Sequence, residues 1–240
     1  MSAQPSLKSR INRGDLIIGV GMPLTTSRDK MEEILSKDDY AYIAADSQHS
    51  AFNEERLAEF CGYAAEFNMP VQFRIKHTRH TYLIGNMLDL GPAGVEVPQV
   101  ESLATVDEAL EFFYYPQKGK RSWGGPGYGA DLGLDRLGYA KYWNETGVLW
   151  IQIESINAVT QAGAFAKAGV DCLSWGPADL QFSLEAHPGH PFQSDDDCLR
   201  HVLQQLKGTG IQVAYRSYDP GLRNKYIDMG VTVLLERAQI

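Results

Sequence analysis

No stretch of this chain is rich in Lys or Arg. With a net charge of −8 over 240 residues, a nucleic-acid backbone is excluded as its main partner, because that binding rests on clustered cations. No apolar run reaches the roughly twenty residues that span a bilayer, and the opening "MSAQPSLKSRINRGD" has no apolar signal core. No membrane partner is therefore expected. Cysteine is scarce. Cys61, Cys172 and Cys198 show no metal-type spacing, and their odd number fits free thiols in a reducing cytoplasm. The chain has no linker and no low-complexity tract, so a single domain over 1–240 is expected.

What is present is alternation. Apolar, β-branched runs stand at 16–20, 40–46, 70–75, 93–98, 148–154, 170–175, 211–215 and 231–236. Amphipathic segments lie between them, such as "NEERLAEFCGYAAEF", with Asn53 as cap and Glu54 and Glu55 at the positive end of the helix dipole. Gly169, Gly208 and Gly230 precede later strands, as helix C-terminal caps do. Strand–helix alternation implies βαβ units, and eight strands in this length predict an α/β fold, a (β/α)8 TIM barrel. A doubly wound open sheet is the runner-up, disfavoured because "IIGVGMPLTT" is a poor G-x-G-x-x-G. Only "RAQI" follows the eighth strand, so the eighth helix is expected to be absent. The Gly-rich segment 114–133 is too long for an ordinary connection and reads as a functional loop or cover.

Several strands end in polar residues. "VLWIQIE" closes with Glu154, and Gln152 shares its strand face by the period of two. "VDCLSWGPAD" runs through a Gly-Pro break to Asp179. In a (β/α)8 barrel the C-terminal strand ends line the mouth. Either acid alone reads as a cap. Together, on adjacent strands, they require a shared proton, a basic partner or a cation, and hard oxygen ligands favour Mg2+ or Mn2+. "AADSQHSAF" brings Asp46 and His49 to the same rim, where His49 suits a general base that Asp46 could orient. Arg74, inside "VQFRIKH", must meet an anion. Asp89 alone reads as a helix-end or turn acid. The "WGPAD" backbone, Gly176, Pro177 and Ala178, could hold a substrate carboxylate.

Together these residues resemble the HpcH/HpaI aldolase family. The correspondence runs in order along nearly the whole chain: "DSQH" (46–49), "QFR" (72–74), "LDLGPAGVEVP" (88–98), "YPQKGKR" (115–121), "QIES" (152–155) and "GPADL" (176–180). The resemblance implies a class II pyruvate aldolase with a divalent cation, Mg2+ or Mn2+, with Co2+ a further candidate. It cleaves or forms a hydroxy-2-oxo-acid through a metal-bound pyruvate enolate, with an aldehyde as the other partner. Glu154 and Asp179 are then the metal ligands. Arg74 binds the keto or enolate oxygen, and Gln152 and the Gly176–Ala178 backbone complete the substrate site. His49, supported by Asp46, is the acid/base, and Asp89 belongs to the surroundings of the metal waters.

The chain departs from the family pattern in three places. Gln48 stands where the family has Glu, removing a negative charge near the metal waters. "HTRH" (77–80) places His77 and His80 after the third strand. The missing eighth helix is one that family members exchange within a hexamer, although the apolar last strand still favours some homo-oligomer. Two alternative functions follow. Related enolate chemistry would use the same core for oxaloacetate-type decarboxylation or for condensation with an aromatic acceptor near Trp123, Tyr128 and Trp175. A catalytically impaired binding or assembly protein is the other alternative.

Overall fold

The computed structural model describes residues 5–125 and 132–238. Its centre is a closed barrel of eight parallel strands in sequence order. These are β1 (Ile17–Gly21), β2 (Tyr42–Asp46), β3 (Val71–Arg74), β4 (Gly94–Val97), β5 (Val148–Ile153), β6 (Cys172–Trp175), β7 (Gln212–Tyr218) and β8 (Val233–Arg237). Every expected strand forms. β7 runs three residues beyond its expected end, and this extension carries Arg216 into the barrel.

Helices cover the outside: α1 (Leu7–Arg13), α2 (Arg28–Leu35), α3 (Glu54–Glu66), α4 (Ile84–Leu88), α5 (Leu103–Phe113), α6 (Arg136–Thr146), α7 (Ile156–Thr160), α8 (Ala162–Phe165), α9 (Pro177–Ala186), α10 (Asp195–Gln205) and α11 (Arg223–Met229). Asn53 caps α3 as expected, its side chain accepting from Arg56 N. Of the three glycines expected as caps, all have positive φ, and Gly230 is the C-cap of α11. Of the Gly-rich segment 114–133, residues 126–131, with Tyr128, lie outside the described residues.

Alternate residues of each strand face the lumen. Its lower end is apolar: Ile17, Tyr42, Val148, Trp150, Cys172, Ala214, Val233 and Leu235 pack with Leu7 and Ile11 of α1. The Tyr42 ring fills the space beside Gly19, where a Cβ would lie 2.0 Å from the ring. Only glycine lets the two strands carry that ring into the lumen. Helix α1 thus plugs the bottom, fastened by Lys8, which bonds Asp171 and the Gly147 carbonyl at 2.9 Å. The open end of the lumen is the C-terminal mouth.

Candidate active site at the barrel mouth

Glu154 follows β5 directly and is 5% exposed. Neither of its carboxylate oxygens has a hydrogen-bond partner among the described residues. Burial, then the charge of Asp179, push its pKa from 4.5 to about 7, with Arg74 opposing. The other buried acids are all compensated: Glu96 by Arg216, Asp171 by Lys8 and Glu236 by Arg223. Among the described residues Glu154 is the buried acid without an ion-pair partner.

Asp179 lies in the first turn of α9 rather than in a loop, with Pro177 opening that helix after Gly176. Gly176 is required for a steric reason. A Cβ there would sit 2.4 Å from Glu154 Oε2 and 2.9 Å from Gln152 Nε2. Its absence leaves the face of the carboxylate open.

Arg74 ends β3 and points into the mouth. Its Nε and Nη2 donate to the two oxygens of Asp46 at 2.7 and 2.8 Å, and Nη1 donates to Gln152 Oε1 at 3.2 Å. This bidentate pairing fixes the plane of the guanidinium. Burial pushes the Asp46 carboxyl upward, but Arg74 and two backbone N–H groups outweigh it and hold the carboxyl below its ordinary range. Those N–H groups belong to Gln48 and His49. The support expected from Asp46 therefore reaches His49 through its backbone. The carboxylate oxygens are taken up by Arg74, and the imidazole stands exposed at the rim.

Asp89 is not brought to this mouth within the chain. It caps the C-terminus of α4, just before β4 begins, and so lies toward the opposite end of the barrel. There it pairs with the buried Arg121 at 2.7 Å. The chain placed an acid ahead of a strand, where the mouth takes residues that follow one. Among the other residues singled out, His77 caps a 3-10 turn (Thr78–Leu83), and His80 borders an apolar cavity of about 190 Å3 beside the mouth. Trp175 faces out of the barrel, stacks on Tyr215 and donates to Asp195 at 2.8 Å. Trp123 packs against Tyr115 and Tyr139. Both tryptophans are therefore part of the packing.

Sequence reasoning missed most of the polar residues in the upper lumen. Gln72, Glu96, Ser174 and Arg216 are buried there, together with Gln152, which was expected at the site. Ser174 Oγ donates to Glu96 Oε1 at 2.8 Å, and Arg216 Nη2 donates to the same oxygen. The one signal available was a charge within an otherwise apolar strand, "GVEV".

Among the described residues no group of three or more His, Cys, Asp or Glu gathers to hold a metal ion. The mouth offers two carboxylates. Two hard oxygen donors, one of them buried and unpartnered, suit a cation that keeps water or substrate in its other positions. Glu154 and Asp179 are thus the residues that could hold one.

A (β/α)8 barrel whose uncompensated buried acid stands at the C-terminal mouth has the form of a barrel enzyme. The comparisons agree. The family model of HpcH/HpaI aldolase/citrate lyase matches residues 21–219. A hydroxypyruvate/pyruvate aldolase of Pseudomonas aeruginosa is 25% identical over 93% of this chain and 82% of its own length. A 2-keto-3-deoxy-L-rhamnonate aldolase of Salmonella paratyphi B is 26% identical over 93% of this chain and 83% of its own. The crystal structure of an HpcH/HpaI aldolase from Desulfitobacterium hafniense superposes with a TM-score of 0.82 at 23% identity, covering 97% of this chain and 90% of that one. The chain belongs to the HpcH/HpaI aldolase/citrate lyase family and is a carbon–carbon lyase. No described helix is long and apolar enough to cross a membrane.

Proposed function

We infer that the protein is a divalent-metal-dependent aldolase that cleaves or forms a hydroxy-2-oxo-acid, with pyruvate and an aldehyde as the two halves. One observation carries this reading: Glu154 is the buried acid with neither ion pair nor hydrogen bond among the described residues, and its carboxylate stands beside Gly176 and feels the charge of Asp179. Glu154 and Asp179 would hold Mg2+, Mn2+ or Co2+, which when bound supplies Lewis-acid polarisation of the substrate keto group.

This chain's own residues do the rest. Asp46 takes the Nε–Nη2 edge of the Arg74 guanidinium and leaves Nη1 beside Gln152, to which it donates. Placed there in advance, Nη1–H stabilises the oxygen that gains charge as the enolate forms, with little reorganisation. In cleavage, His49 takes the proton of the substrate hydroxyl. The bond beta to the keto group breaks, its electron pair passes into the pyruvate enolate, and the aldehyde leaves. Protonation of the enolate at its methylene carbon gives pyruvate. The Gly176–Ala178 backbone lies where a substrate carboxylate can be held. The relatives named as pyruvate and keto-deoxy-sugar-acid aldolases support this substrate class.

The test is exchange of the pyruvate methyl protons in D2O, followed by NMR with Mg2+, Mn2+ or Co2+, and with chelator. Metal-dependent exchange that disappears in Glu154→Ala is the expected result. Absence of exchange with every cation would overturn the reading.

A further inference from the structure

We propose that Arg216 is a substrate-binding residue that takes the carboxylate of the 2-oxo acid, a reading that rests on the aldolase function above. Four observations place it. First, β4 and β7 are three strands apart around the barrel, so the Arg216–Glu96 hydrogen bond crosses the lumen and lays the guanidinium over the barrel axis. Second, Ser174 pairs with Gln152 on one side and with Ala214 on the other. Two residues further along these strands, Arg216 stands level with Glu154 and Gly176. Third, the β7–β8 register shifts between Arg216 and Tyr218, and Tyr218 has φ of 54°. Such irregularities re-aim side chains beside active sites, and their strain persists where function requires it. Fourth, Arg216 is 8% exposed and its Nε–H has no partner among the described residues.

A guanidinium has five N–H donors, and the bond to Glu96 uses one. A buried donor left unmade is costly, and a planar fork suits a carboxylate. The carboxylate can arrive only from the mouth, because Tyr42, Trp150 and α1 fill the other end. The Gly176 turn beside it supplies the remaining contacts. Stability does not account for the pair, since apolar residues would fill a lumen at less cost than two buried charges. Glu96 is the positioning residue, and Ser174 steadies it.

The experiment compares pyruvate with its neutral analogue pyruvamide, using methyl-proton exchange with Mn2+ and calorimetric titration. The variant is the paired Glu96→Gln/Arg216→Gln, which leaves no lone buried charge. A charge-assisted hydrogen bond of the usual strength predicts that half-saturating pyruvate rises about ten- to a hundredfold while pyruvamide changes little. Arg216→Lys retains part of the preference. If the paired variant folds with an unchanged melting curve and keeps the wild-type preference for pyruvate, the proposal is overturned. A wild type that exchanges neither compound overturns the aldolase reading, and this one with it.

Discussion

Glu154→Gln tests the site through stability alone, independently of any turnover. Burial and Asp179 raise the Glu154 carboxyl from 4.5 to about 7. That displacement is worth about 3 kcal/mol between the protonated and ionised forms. A folded-state value above the unfolded one means that the folded chain binds the proton more tightly. The contribution is fully present below the unfolded value of 4.5 and is lost as pH rises through about 7. Glutamine mimics the protonated form at every pH. Without divalent cation, wild type and variant should therefore melt together near pH 4, and the variant should melt higher near pH 8, by about 6–12 °C for a chain of this size. Mg2+ or Mn2+ at about a thousandfold excess over Kd should reverse the order, because binding to the folded state alone then stabilises wild type by about 4.1 kcal/mol. The assay is thermal melting by circular dichroism at the two pH values, with chelator and then with cation. Equal melting near pH 8 in chelator would mean that the carboxylate is not desolvated, and the argument for its role would fail.

Three further outcomes are expected. Gly176→Ala places a methyl group 2.4 Å from Glu154 Oε2, and a displacement on the order of 1 Å in the carboxylate should cost about a hundredfold in kcat/KM; steady-state kinetics on a folded variant would show it. Lys8→Met leaves Asp171, 3% exposed, without its ammonium, and should destabilise by about 3–5 kcal/mol, read as a lower urea midpoint. Gln48→Glu adds a negative charge beside the Asp46–His49 loop, which favours the protonated form of a neighbouring base. The acid limb of the pH–rate profile should then move to higher pH, and an unchanged profile would refute a role for position 48.

The barrel was legible because its strands are buried on both faces and read as continuous β-branched runs, "VLWIQI" being the plainest. Helices with a clear apolar stripe and a capping residue, such as α3, were legible too. α9 was not. "PADLQFSLEA" opens with Pro and leaves Phe182 exposed, so it shows no clear apolar stripe. Helix α1 was missed because its apolar residues are only Leu7 and Ile11, and its role is to plug a barrel that single-strand reasoning cannot see. The rim residues Glu154, Arg74 and Asp46 were found because strand ends point at the mouth. Glu96 and Arg216 were not, because their partnership spans 120 positions and crosses the lumen. The partner of Asp89 was not legible for a related reason: its motif is local, but Arg121 comes from a distant loop.

What separates the site from the rest of the polar interior is compensation rather than residue type. Each of Glu96, Asp171 and Glu236 is as buried as Glu154, and each has a cation within hydrogen-bonding reach. These pairs form on folding, and their charges cancel within the chain. The same holds at the rim, where Asp46 is matched by Arg74. Glu154 is left unmatched, although Arg74 is near enough to oppose its shift. An arginine so close could have satisfied it directly, yet Asp46 holds the guanidinium by its Nε–Nη2 edge. The pairing of Asp46 with Arg74 thus keeps Glu154 free as much as it orients the arginine. An uncompensated buried carboxylate lowers stability in the absence of ligand, and a cation binding there recovers that free energy together with its own affinity. On this argument Asp46→Asn would damage the site twice over, loosening Arg74 and allowing it to close on Glu154. Cation affinity should then fall even though Asp46 is not a ligand, whereas a fall in kcat/KM with unchanged Mn2+ affinity would confine Asp46 to orienting the arginine.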